Sequence, residues 1–210
     1  MQLAAEELLS LGVGGLQLTP GLVPTQGFKR WLEEKQIKTR THHGFSWRQF
    51  RTKVWGDNGD CVVASDSVHP PLKNHPCAKL WKTRVALGDY HHLILETMYP
   101  EYWLGDGEEV AWAMDLGLQL AVDVSHIYIQ LCQGAMGEDV WRRLQGYEYI
   151  KELHVSSNTG RADTHQPMTQ ESFGLDWVKE RSGDGIPVIL ECYLHKLSPA
   201  QRIEQVEQWN

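Results

Sequence analysis

Four short apolar runs in this sequence end on a side chain that can bind a metal ion or move a proton, and this repeated ending leaves few folds open. Leu93-Ile94-Leu95 runs into Glu96, Leu118 to Val122 into Asp123, Tyr149-Ile150 and then Leu153 into His154, and Pro187 to Leu190 into Glu191. Such runs are the mark of strands covered on both faces, as in a parallel sheet. Between them lie segments with helical periodicity. Leu3 to Leu11 predicts a helix stopped by Gly12, followed by a strand over Val13 to Leu18. Gly27 to Gln36 predicts a helix burying Phe28, Trp31 and Leu32, and Ile37 to Phe45 an extended segment closing on His42 and His43. A short helix over Trp47 to Trp55, a strand over Cys61 to Ala64 ending near Asp66 and His69, and a helix over Pro76 to Gly88 come next. Further helices are expected over Glu108 to Leu116, Asp139 to Leu144, Phe173 to Arg181 and Pro199 to Gln208.

Strand and helix in alternation predict an α/β fold. Seven strands, each ending in functional-looking residues, predict a TIM-type (β/α) barrel, with the site at the C-terminal strand ends. An open doubly wound sheet is the alternative, but neither G-x-G-x-x-G nor G-x-x-x-x-G-K occurs to support it. The 210 residues suffice for one core, so a single domain over 1–210 is expected.

Charge narrows the partners. Twenty Lys and Arg against 27 Asp and Glu give a formal charge of −7, a poor footprint for gripping a phosphate backbone. Duplex DNA is therefore not expected as a partner, and a small polar substrate is. Arg40, Arg48, Arg51, Lys53 and Lys73 are the only evident candidates for a basic strip near the mouth. Cys61, Cys77, Cys132 and Cys192 are widely spaced and read as reduced thiols in or near the core. Neither a signal-peptide pattern nor an apolar stretch approaching the ~20 residues of a membrane span is evident, so a soluble, cytoplasmic protein without membrane partners is expected.

The densest group of donors is Leu153 to His165, where His154 leaves its strand and a Ser/Asn/Gly turn can fold Asp163 and His165 back toward it. Imidazole and carboxylate together suit zinc, manganese or iron(II). Glu96 and Glu191 each close a run of branched aliphatics, where a carboxylate must be paired, protonated or on a metal. A strand-end salt bridge would explain either glutamate alone, and a helix-start aspartate would explain Asp123 beside His126. His43 and His69 are further candidates; His42 competes with the first, and Asp66 or His75 with the second.

The succession Leu-Glu-Thr at 95–97, Asp-Val-Ser-His at 123–126, Leu-His-Val-Ser at 153–156, Gly-Arg-Ala-Asp-Thr-His at 160–165 and Ile-Leu-Glu at 189–191 resembles the xylose-isomerase-like superfamily. Within it the pattern most resembles the endonuclease IV (AP endonuclease) type, which holds three zinc ions. The resemblance covers about residues 13 to 195. It implies metal ligands at Glu96, Asp123, His126, His154, Asp163, His165 and Glu191, completed by His43 and His69. Glu96 and Glu191 would also be the catalytic carboxylates, and Arg161 and His42 would contact substrate. One to three divalent ions (Zn, Mn or Fe) are expected. The expected reaction is hydrolysis of a phosphoester or a similar small polar substrate.

The quartet Glu96, Asp123, His154 and Glu191 equally resembles the single-metal site of sugar isomerases and epimerases in the superfamily. The D-x-H step resembles multinuclear iron enzymes that oxidise peptides. A degenerate barrel serving as a binding module is a fourth alternative. The family has eight strands and DNA-gripping insertions. Here the first strand is missing or lies upstream, and the insertions are not apparent. The missing strand leads us to expect a covering segment, an N-terminal extension or a homodimer across the seam between the Val13 and Pro187 strands.

Overall fold

Four helix starts among the described residues are set by short polar side chains that accept free backbone N–H groups. Thr25 caps α2 (Gln26–Glu34) by accepting from Phe28 N, and Asp106 caps α4 (Gly107–Asp115) by accepting from Glu109 N. Ser198 and Gln201 form a reciprocal capping box on α8 (Pro199–Glu207), with Pro199 at its first turn. Glu138 and Asp139 open α6 (Glu138–Gln145) while Arg142 and Arg143 close it, complementing the helix dipole. The remaining helices are α1 (Gln2–Ser10), α3 (Ala78–Ala86), α5 (Val124–Cys132) and α7 (Leu175–Gly183). Gly117, at φ 69°, makes the left-handed turn that lets the chain leave α4 and enter the next strand within three residues.

These elements come from a computed structural model that describes residues 2–18, 25–43, 46–47, 50–51 and 53–209. Seven strands form one parallel sheet: β1 (Leu16–Leu18), β2 (Thr39–His43), β5 (Ser67–Val68), β6 (Ile94–Glu96), β7 (Gln119–Asp123), β8 (Ile150–Val155) and β9 (Val188–Leu190), neighbours in that order. Between β2 and β5 lies a two-strand antiparallel hairpin, β3 (Ser46–Trp47) with β4 (Phe50–Arg51). The sheet curls into a nearly closed TIM-type barrel. Among the described residues β1 and β9 share no ladder, yet Gln17 Nε2 on β1 donates to Glu191 Oε1 just past β9 at 3.4 Å.

Strand alternation divides the side chains into two sets. Leu95, Leu120, Val122, Leu153 and Val155 face outward into the main core, which they share with Trp81, Val110, Ile127, Leu144, Leu175 and Val178. The inward set is polar and buried: His42, Ser67, Glu96, Asp123, Glu152 and His154. A smaller apolar cluster of Ala5, Phe28 and Leu32 packs under α1, α2 and β1.

Two expectations are corrected here. The helix over Trp47 to Trp55 is replaced, within its described residues, by the β3–β4 hairpin with Ser46 opposite Arg51 and an isolated bridge at Trp55. The strand expected over Cys61 to Ala64 is an excursion in which Cys61 bridges Trp55 and Val62 lies 54% exposed. The barrel strand is Ser67–Val68, six residues further on. A pair of β-branched valines signals extended backbone but not which extended segment joins the ladder. Trp55 makes the excursion possible by packing edge-on against Trp81 at 5.7 Å and Tyr90 at 5.3 Å.

Candidate metal centre

Glu96 is the hub of the barrel mouth. Its side chain is buried, with Oε2 at 3.0 Å from both His42 Nε2 and His69 Nε2, 3.6 Å from His154 Nδ1, and Oε1 at 3.3 Å from His126 Nδ1. Glu191 reaches in from the end of β9, with Oε1 at 3.2 Å from His154 Nδ1 and Oε2 at 3.9 Å from His165 Nδ1. Asp123 does two things at once. Its Oδ1 caps α5 by accepting from Ser125 N and His126 N at 2.7 and 3.2 Å, while Oδ2 lies 3.5 Å from His126 Nε2. Cap and ligand are therefore not competing readings of this residue; each uses its own oxygen.

The loop after β8 brings in the last pair. Asp163 Oδ2 stands 3.4 Å from His126 Nε2 and 3.0 Å from His165 Nε2. Gly160 makes that return possible at φ 75°, and an added Cβ there would fall onto Cys132 Sγ. Backbone hydrogen bonds between Ser157 and Gln166, 2.8 Å in both directions, close the loop at its base.

Burial and charge act against each other throughout. Burial alone would push Glu96 up, but the imidazoles of His69, His154 and His42 hold it well below the usual carboxylate range. Glu191 behaves alike: His154 overrides burial and holds it at about 2. Asp163 is held low by His126 and His165 against burial. Asp123 goes the other way, raised to about 6 because burial outweighs His126. Burial would lower His126 and His154, yet Asp123 beside the first and Glu191 and Glu96 beside the second raise both well above the ordinary histidine value.

Both Glu96 oxygens, Asp123 Oδ2, His126 Nε2, His154 Nδ1, Asp163 Oδ1 and His165 Nδ1 are buried without a hydrogen-bond partner. Left dry, such atoms each cost about 1–3 kcal/mol; for Glu96, Asp123 and His154 a shared divalent cation would relieve that cost. Ligand atoms of Glu96, Asp123, His154 and Glu191 lie within 4.8 Å of one another, as do those of His42, Glu96 and His154. A mixed imidazole and carboxylate set suits zinc, manganese or iron(II), so the residues present fit the implied ions.

Of the residues singled out in the sequence, His69, Glu96, Asp123, His126, His154, Asp163, His165 and Glu191 converge in this cluster. His43 does not. In β2 the inward position falls to His42, paired in register with Ser67, so His43 faces outward, buried, with its pKa lowered to about 4 by burial and then by His42. His42 thus stands where the resemblance had implied His43. Arg161 is exposed, and it is its backbone carbonyl that is held, by Gln133 Nε2 at 3.2 Å. Arg40, considered as part of a basic strip, points into the barrel and pairs with Glu152. The sequence reading passed over Glu152, Gln17 and the tyrosines of the rim. Tyr99 and Tyr193 place ring centroids 5.0 Å from His126 and His165, and Tyr102 lies 6.0 Å from His69. Glu152 carried a readable signal, since it stands two residues before His154 in one strand and so shares its face.

No family model and no curated protein sequence matches this chain. Among solved structures, the chain is similar to a protein of Rhodospirillum rubrum ATCC 11170 provisionally named a xylose isomerase, with a TM-score of 0.61 and 13% identity over 99% of this chain and 92% of that one. The fold is therefore a TIM barrel like that protein's; at this identity the likeness carries the fold alone. Among the described residues no helix is long and apolar enough to cross a membrane.

Proposed function

We propose that the protein is a divalent-metal enzyme with a multinuclear centre of the endonuclease IV kind, acting as a hydrolase on a phosphoester or similar small polar substrate. The observation that carries this reading is the bridging placement of two carboxylates. Glu96 lies between His42 and His69 through one oxygen and His126 through the other, and Glu191 presents its two oxygens to His154 and His165. A carboxylate flanked by imidazoles on both oxygens suits neighbouring ions better than a single one. His42, His69 and His154 with Glu96, and His126, His165, Asp123 and Asp163 with Glu191, would hold them. Bound ions would supply Lewis acidity and a nucleophilic water at neutral pH.

The protein's own groups divide the remaining work. Glu96, 1% exposed at its side chain, is locked among imidazoles and serves to hold the centre; Glu191, at 15%, keeps access to the mouth and is the carboxylate placed to accept a proton from a nucleophile. Gln17 Nε2 steadies Glu191 from the opposite edge of the seam. Tyr99, Tyr102 and Tyr193 wall the rim and limit entry of water.

The test is elemental analysis of gently purified protein combined with hydrolysis of bis(p-nitrophenyl) phosphate. Two or three ions with hydrolysis abolished in Glu191→Gln support the proposal, and a metal-free or inert protein refutes it. The tight quartet of Glu96, Asp123, His154 and Glu191 favours a second reading, sugar isomerisation or epimerisation with one ion. A single ion per chain and proton exchange on a sugar substrate would select that reading.

A further inference from the structure

Below the cluster the barrel interior has a second polar layer, one pleat repeat toward the N-terminal strand ends. Arg40 stands two residues before His42 and Glu152 two before His154, so each points inward beneath an imidazole of the mouth. Glu152 is fully buried. Its Oε1 accepts from Arg40 Nε at 2.6 Å and its Oε2 stands 3.1 Å from His154 Nε2. An ionised carboxylate only accepts. Glu152 therefore offers His154 Nε2 an acceptor, and once an ion takes Nδ1, the atom that faces Glu191 and Glu96, the remaining ring hydrogen sits on Nε2.

His42 is held from another side, with Nδ1 2.9 Å from the Ser67 hydroxyl and Nε2 3.0 Å from Glu96 Oε2. His42, Glu96 and His154 are also one of the groups whose donor atoms lie close enough to share an ion.

We infer that Glu152 is a positioning residue of the metal centre: a buried carboxylate that holds His154 by Nε2 so that Nδ1 faces Glu96 and Glu191. Arg40 keeps that carboxylate in place from below. Ligating histidines are oriented in this way by partners on their far nitrogen, and loss of such a partner typically lowers metal affinity by about 10–100-fold. The inference rests on the metal-centre reading, since it is the bound ion that takes Nδ1.

The experiment is zinc titration of chelator-treated protein alongside ¹⁵N NMR of the histidine rings in the zinc-loaded protein. Wild-type protein should show His154 with its hydrogen on Nε2, and Glu152→Gln should weaken zinc by about 10–100-fold. Arg40→Met, which keeps the carboxylate, should stay nearer wild type, whereas a merely structural role for the layer would make it behave as Glu152→Gln does. Should Glu152→Gln not fold, the wild-type ring signal decides. A His154 hydrogen on Nδ1 in the loaded protein, or Glu152→Gln with wild-type zinc affinity, overturns this inference alone. Wild-type protein that takes up no zinc would sink the proposed function and this inference with it.

Discussion

Replacing Glu191 by Gln tests the electrostatics of the mouth without any substrate. In the metal-free protein the Glu191 carboxyl is held at about 2 against an ordinary value of 4.5, chiefly because the His154 charge overrides burial. A folded-state pKa below the unfolded one contributes stability above the unfolded value and loses it as pH falls toward the folded value. A depression of this size corresponds to on the order of 3 kcal/mol at pH 7, shrinking to roughly 1.4 kcal/mol at pH 3. In a chain of 210 residues each kcal/mol moves Tm by about 2–4 °C. Chelator-treated Glu191→Gln should therefore melt roughly 6–12 °C below wild type at neutral pH, with the gap closing as the pH is lowered through the carboxylate range. Urea unfolding at several pH values measures both the size and the slope. A variant as stable as wild type at pH 7 without metal, or a gap that widens toward acid, would refute the claim that Glu191 is held ionised by its imidazole neighbours.

The imidazoles carry the opposite sign. His126 and His154 are raised by nearby carboxylates, so their contribution to the metal-free protein is full below about pH 6.5 and lost as pH rises through the raised values. Metal-free Tm should fall from mildly acidic to alkaline pH, while zinc affinity rises because the ion must displace those protons; differential scanning fluorimetry and titration calorimetry read the two trends. His42→Ala should lose bound metal and His43→Ala should keep it, as elemental analysis would show, since only the first ring faces Glu96. Gly160→Ala should lower Tm by about 4–8 °C, reflecting roughly 2 kcal/mol of left-handed backbone strain and the collision with Cys132. Duplex DNA, abasic or intact, should bind weakly with a shallow salt dependence in fluorescence anisotropy. Arg40, Lys53 and Lys73 are already paired with Glu152, Asp57 and the Asp106–Glu109 pair.

How far the sequence could be read depended on which residues shared a strand with apolar neighbours. β6, β7, β8 and β9 announce themselves because their outward residues are aliphatic, and the position of Glu96, Asp123, His154 and Glu191 at the end of each run follows directly. β2 offers no such guide: Thr39, Arg40, Thr41, His42 and His43 are polar on both faces, so nothing local tells which parity is inward. Only the register with Ser67 settles His42 over His43. β5 is two residues long and polar at its inward position, too little to compete with the valines at 62 and 63. The inner layer of Arg40 and Glu152 was illegible for another reason. An arginine and a glutamate 112 residues apart read as surface charges until the closed sheet places one above the other's strand, and the cost of burying them alone is what makes the pairing obligatory.

The Gln17 to Glu191 contact gives the gap in the sheet a consequence of its own. Where a complete barrel would be sewn shut by backbone pairing, this one is clasped by a side chain that also belongs to the reactive mouth. One carboxylate thus faces both the seam and the polar mouth, and a shift of Glu191 would be felt at β1, on the far side of the gap.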